Sequence, residues 1–219
     1  MTQFTPPNRC RLVLIIPQSA PAGLIDALPG ILAAGDVASV ILPQYGLDDQ
    51  AFQRMAEKIT PIVQQAGAAL VISGETRIAA RVGADGVHIE GKVAELEDAV
   101  ERLQDKMAVG AGGVKTRDEA LDLGELRPDY MFFGKFGFDN KPEAHARNLG
   151  LGAWWSEMIE TPCIVMGGSS IESARVVAET GADFVALSAA VFSADDPAAA
   201  LAEINALLDA HAPKFEDAA

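Results

Sequence analysis

The feature that most constrains this chain is a rhythm. Short apolar runs, most of them closed by Gly or Pro, alternate with helix-patterned stretches from residue 11 to residue 208, and no linker interrupts them. The pattern predicts strands over 11–16, 38–42, 69–72, 86–89, 107–109, 130–133, 162–166 and 184–187. Helices are expected over 21–34, 47–66, 76–82, 93–103, 117–123, 153–159, 171–180 and 198–208. The four residues 110–113, Gly-Ala-Gly-Gly, read as a loop, and so does the polar stretch 135–150.

Strands this short, each followed by a helix, pair in parallel through crossover units. Eight such units in 219 residues fit a single α/β domain, a (β/α)8 TIM barrel over 1–219, with 1–10 and 210–219 as flexible tails. An open doubly wound sheet would carry a glycine-rich turn after its first strand, but here Pro17, Gln18 and Ser19 follow. An internal echo supports two similar halves. Gly83-Ala-Asp-Gly-Val precedes the fourth strand and Gly181-Ala-Asp-Phe-Val the eighth, with Pro128-Asp-Tyr a weaker version before the sixth. Asp85, Asp129 and Asp183 then lie at the amino-terminal face, where a barrel's residues serve stability. Thr116 and Glu119 have the spacing of a helix capping box.

Composition narrows the partners. With 49% hydrophobic residues the chain can bury a core. Its 31 acidic against 17 basic residues, net −14, oppose nucleic-acid binding and require that any anion be held by local dipoles and a few cations. The apolar run 12–16 is too short for a signal segment or a membrane span, so no membrane partner and a cytoplasmic setting are expected. Cys10 and Cys163 lack metal-ligand spacing and read as buried thiols. A small phosphorylated molecule and further copies of the same chain (a homo-oligomer) are the partner classes left.

In a barrel the active site lies at the carboxyl ends of the strands. After the seventh predicted strand come Gly167, Gly168, Ser169 and Ser170 with a helix behind them; after the eighth come Ser188, Ala189 and Ala190. Small residues let the backbone approach a ligand, and a helix start offers unpaired amides, so these two turns are candidates for a phosphate site. His88 ends the fourth strand, and Lys115 and Lys141 are extra cations for an anionic ligand. Trp154 and Trp155 are expected to anchor the sixth helix.

Three stretches carry a resemblance: Pro162-Cys-Ile-Val-Met-Gly-Gly168, Thr180-Gly-Ala-Asp-Phe-Val-Ala-Leu-Ser188 and Val82-Gly-Ala-Asp-Gly-Val-His-Ile89. With Asp129-Tyr-Met-Phe-Phe-Gly134 they resemble the thiamine phosphate synthase/TenI superfamily across nearly the whole chain. The resemblance implies a thiazole phosphate held by Gly167, Gly168, Ser188 and Ala189. It also implies an Arg and a Lys after the second strand, where this chain has Pro43 and Tyr45, and Asn-Asp after the third, where it has Ser73 and Gly74. The magnesium-binding Asp implied after Ile89 is replaced by Glu90-Gly-Lys-Val, and the Lys-ended loop after the sixth strand keeps Lys141. No cofactor is therefore certain, and the carboxylates expected for Mg2+ are missing. TenI-type tautomerases place a catalytic His after the glycine ending the sixth strand; Lys135 stands there, near Phe132, Phe133 and Phe136, whose apolar surfaces would lower its pKa for acid–base work.

The expected function is thus a divergent thiamine phosphate synthase/TenI-like protein that binds a phosphorylated thiazole-type ligand, its catalytic candidates being Lys135 and His88. If active, it would be a transferase or a tautomerase-like isomerase. The rivals are a non-catalytic phosphate-ligand sensor or partner subunit, and another phosphate-binding barrel enzyme.

Overall fold

The computed structural model describes residues 6–19 and 21–215. Its strands are β1 (Arg11–Ile15), β2 (Ser39–Pro43), β3 (Ala69–Ser73), β4 (Gly86–Glu90), β5 (Ala108–Gly112), β6 (Tyr130–Phe133), β7 (Cys163–Met166) and β8 (Phe184–Leu187). Each pairs in parallel with its sequence neighbours, and β8 returns to β1 with Leu14 beside Leu187, closing the barrel. The helices among the described residues are α1 (Leu24–Leu32), α2 (Asp49–Gln65), α3 (Thr76–Val82), α4 (Val93–Leu103), α5 (Arg117–Gly124), α6 (Ala146–Met158), α7 (Ser173–Ala178), α8 (Ala189–Phe192) and α9 (Pro197–His211). The single (β/α)8 barrel expected from the rhythm is the fold observed.

Continuous apolar strands suit a sheet that is covered on both sides. Val13, Ile15, Ile41, Val71, Ile164, Met166 and Ala186 fill the barrel interior together with Tyr130 and Phe132, and the alternate residues face the helices. β5 runs through Gly110 and Gly112, which had read as a loop. The reason is space: a Cβ on Gly110 would fall 1.9 Å from Cζ of Tyr130, and one on Gly112 would fall 2.8 Å from Nε2 of His88. The two large side chains of β4 and β6 occupy what β5 leaves empty. Similarly, α6 starts at Ala146 and takes in both Gly150 and Gly152; a Cβ on Gly152 would fall 2.3 Å from Val165, so the glycine lets the helix approach β7.

The three aspartates close the amino-terminal face. Asp85 accepts the Leu70 amide (2.8 Å), Asp129 the Val109 amide (2.7 Å) and Asp183 the Cys163 amide (2.8 Å). Each carboxylate satisfies a donor at the start of the preceding strand that the ladder leaves unpaired. Gly83 and Gly181, at φ 67° and 83°, make the left-handed turns that deliver these residues. The capping box of α5 forms between Thr116 and Glu119. Trp155 is 1% exposed and donates to the Thr161 carbonyl (2.7 Å), while the Trp154 ring lies under the guanidinium of Arg117. Cys10 and Cys163 are free and buried, and burial pushes the Cys163 thiol up to about 12.

The stretches read as tails differ from expectation where they are described. Arg9 is 2% exposed and ties Asp209, Asn205 and the Cys10 carbonyl together; Asn8 donates to the Phe215 carbonyl. An ion pair and hydrogen bonds across the barrel's closure hold these segments. Residues 1–5 and 216–219 lie outside the described residues. No helix among the described residues is long and apolar enough to cross a membrane.

Candidate functional site

A cavity of about 410 Å3 opens at the carboxyl ends of β2, β3 and β4, with Lys135 and Phe136 on its far wall. Pro43, Tyr45, Ser73, Gly74 and Glu90, the residues that depart from the implied family pattern, line it. Gln44 braces the rim: its amide donates to the Leu47 carbonyl and to Asp49, and its oxygen accepts the Glu75 amide. Tyr45 takes a left-handed backbone (φ 48°) and donates its hydroxyl to the Ile16 carbonyl (3.0 Å). Burial, helped by the negative charges of Asp139 and Glu90, pushes its phenol up to about 12, so it stays neutral.

His88 lines this cavity and is 2% exposed. Its Nδ1 meets the Tyr130 hydroxyl at 3.1 Å, and Phe132 and Phe136 pack against the ring edge-on. Desolvation holds its pKa down to about 3, so the imidazole is neutral. Its Nε2 is buried and has no hydrogen-bond partner among the described residues. A buried polar atom without a partner costs about 1–3 kcal/mol and calls for an explanation.

Lys135 lines both this cavity and a second one beside α6. Its ammonium is exposed and sits 4.0 Å from the centroid of the Phe138 ring. Phe132 and Phe136 enclose His88 instead, because the lysine follows Gly134 at the rim while the rings point inward. Partial desolvation raises the carboxyl pKa of Glu90 and the charge of Lys135 opposes that rise.

The turns after β7 and β8 are neighbours: the Gly167 amide donates to the Ala186 carbonyl (2.9 Å). Four of their other amides are used within the protein. Gly168 donates to Ser173 Oγ (2.9 Å), Ser169 to the Lys141 carbonyl (2.7 Å) and Ser170 to the Pro142 carbonyl (3.2 Å). The Ala189 amide donates to Oδ2 of Asp139 at 2.6 Å. A Cβ on Gly168 would fall 2.3 Å from the Pro142 carbonyl, so the loop between β6 and α6 lies directly on the glycine. Ser188, 4% exposed, precedes α8 beneath the same loop. Asp139, 8% exposed, thus places a carboxylate on an amide that the sequence assigned to a phosphate. Sequence reasoning missed it, since nothing separates this Asp from its polar loop neighbours.

Lys141 lines a second cavity outside the mouth, between that loop and α6. Lys115 lines neither cavity; its backbone amide donates to Glu119 at the start of α5. The Mg2+ implied by the resemblance would take one or two carboxylates together with substrate phosphates. The mouth offers Glu90 and Glu95, and Glu95 is paired with Lys92 at 2.6 Å. No group of three or more His, Cys, Asp or Glu side chains converges among the described residues.

A closed parallel barrel with cavities at its carboxyl end, Gly167 and Gly168 after β7 and Ser188 and Ala189 after β8, defines a (β/α)8 barrel protein. Residues 12–191 match the family model described as thiamine monophosphate synthase. The chain is 34% identical over 202 residues to a thiamine-phosphate synthase of Rhodospirillum centenum, covering 91% of this chain and 98% of that one. It is 33% identical over 218 residues to one of Hyphomonas neptunium, covering 95% and 99%. It therefore belongs to the thiamine monophosphate synthase family. Its fold is similar to thiamine phosphate pyrophosphorylase from Pyrococcus furiosus, with TM-score 0.76 at 22% identity, covering 93% of this chain and 97% of that one.

Proposed function

We propose that this chain is a ligand-binding member of thiamine metabolism that receives a phosphorylated thiazole-type molecule at its mouth and does not perform the synthase reaction. The unpartnered Nε2 of His88 carries this reading. If the Tyr130 hydroxyl donates to Nδ1, the imidazole proton sits on Nε2, buried beside Gly112 at the foot of the cavity that His88 lines, where a ligand acceptor reaching that depth would meet a donor. A thiazole nitrogen is an acceptor of the right kind, and Phe132 and Phe136 give its flat ring apolar walls.

Departure of pyrophosphate builds negative charge that a synthase neutralises with cations and a metal. The mouth supplies one exposed ammonium, Lys135, opposed by Glu90. Pro43 and Tyr45 stand where the family pattern has cations, and the Tyr45 hydroxyl is neutral and engaged. These replacements leave recognition of a ring in place and remove the means to ionise a leaving group.

Calorimetric titration with a phosphorylated thiazole, alongside an assay for thiamine phosphate formation with Mg2+ and a pyrimidine pyrophosphate, tests the reading. The expected result is saturable binding, weakened at least ~10-fold (about 1.4 kcal/mol) in His88→Phe, and no product. Product formed at synthase-like turnover, or no binding in the native protein, would overturn it.

A further inference from the structure

Two rings and two glycines form a unit inside the barrel, across β4, β5 and β6. Tyr130, the first residue of β6, is 8% exposed and packs in the barrel interior. Its ring lies within 12° of parallel to that of His88, and Gly110 leaves the space it fills. Its hydroxyl meets Nδ1 of His88 at 3.1 Å and has no other hydrogen-bond partner among the described residues.

The protons of this pair can be assigned. Burial pushes the Tyr130 phenol up, so it keeps its proton, and desolvation keeps His88 neutral, so the imidazole holds one. The phenol is the more acidic donor and the imidazole lone pair the more basic acceptor, so the hydrogen bond runs from the phenol to Nδ1. The reverse bond would join the weaker donor to the weaker acceptor and bury both the phenol proton and a basic lone pair unmatched. The imidazole proton therefore sits on Nε2. Phe132 and Phe136 pack edge-on against the imidazole and offer that proton no acceptor of their own.

We infer that Tyr130 is a positioning residue: it pins the imidazole proton of His88 to Nε2, and the mouth thereby selects a ring that brings a bare, uncharged nitrogen acceptor. The selection rests on the reading of the mouth as a receptor for a thiazole-type ring, whereas the position of the proton does not. A ring of the same shape with an N–H or a protonated nitrogen at that depth would meet Nε2 donor to donor. One with a C–H there would leave the Nε2 proton unmatched. The His88–Tyr130 pair carries no charge, so the choice is made by one hydrogen bond.

The test has two parts, both on the full chain. Nitrogen NMR of the ligand-free protein reads the tautomer. The expected His88 spectrum has its proton on Nε2 and a pyridine-type Nδ1, and in Tyr130→Phe the Nδ1 signal moves as its donor is lost and the second tautomer appears. Calorimetric titration then compares a phosphorylated thiazole with the matched phosphorylated thiophene, in which C–H replaces the ring nitrogen. The native chain is expected to prefer the thiazole at least ~10-fold. Tyr130→Phe keeps the ring that fills the space over Gly110 and should cut that preference to about threefold or less, with the thiophene bound as before. A Tyr130 that only packs would weaken both rings alike and leave their ratio where it was. A proton on Nδ1 in the native chain, equal affinity for the two rings, or an unchanged preference in Tyr130→Phe would overturn the inference. Failure of both rings to bind would overturn the thiazole reading and the selection with it, while the ligand-free spectrum still decides where Tyr130 holds the proton.

Discussion

Asp139→Ala asks whether the turns after β7 and β8 are held closed by an internal carboxylate. The native contact is a short hydrogen bond, 2.6 Å, from the Ala189 amide to a side chain only 8% exposed. A hydrogen bond to a charged group contributes about 1.5–3 kcal/mol, and little is lost to solvent here, so about 2 kcal/mol should disappear with the carboxylate. In a chain of this size each kcal/mol moves the melting temperature by about 2–4 °C, which gives a fall of about 4–8 °C. Asp139→Asn keeps an acceptor oxygen without the charge and should lose about half as much. Differential scanning calorimetry reads the stability, and amide hydrogen exchange reads the loop. Exchange at Ala189, and at Ser169 beneath the Lys141 carbonyl, should quicken in the alanine variant. A melting temperature within about 1 °C of the native value, with protection at Ala189 unchanged, would refute the reasoning.

The neutral His88 makes a second prediction, on pH. The folded chain keeps its imidazole unprotonated down to about 3, whereas the unfolded chain takes up a proton near 6.5. The unfolded state binds more protons within that window, so stability falls as pH drops from 6.5 towards 3. By pH 5 the loss is about 2 kcal/mol, and denaturant titrations at pH 7 and pH 5 should show it in the native protein but not in His88→Phe. Gly110→Ala drives a methyl group into the Tyr130 ring and should destabilise by about 1–3 kcal/mol, with part of the loss recovered in a double variant carrying Tyr130→Leu. Additive losses in that pair would contradict the packing account of β5.

The barrel was legible because its signals are local. Buried strands such as Leu12–Ile15 read as apolar runs, and the Asp85, Asp129 and Asp183 echo announced the repeat that closes the amino-terminal face. Errors arose where a residue's meaning depends on a distant neighbour. Gly110, Gly112 and Gly152 look like loop residues until Tyr130, His88 and Val165 are seen to need their space. The candidate site was legible as a place rather than as a set of contacts. The mouth lies where the strand ends put it, and His88 was among its candidates. Its unpartnered Nε2 follows from Tyr130 claiming the other nitrogen, which no spacing reveals. The occupation of the Ala189 amide by Asp139, fifty residues earlier in the chain, is likewise a tertiary event.

The chain's three histidines, His88, His145 and His211, make nitrogen NMR of 15N-labelled imidazoles the most direct measurement. Addition of a phosphorylated thiazole should move the Nε2 signal of His88 as that nitrogen gains a partner, while His211 at the end of α9 stays fixed. A ligand that binds and leaves the His88 signals where they were would contradict the account.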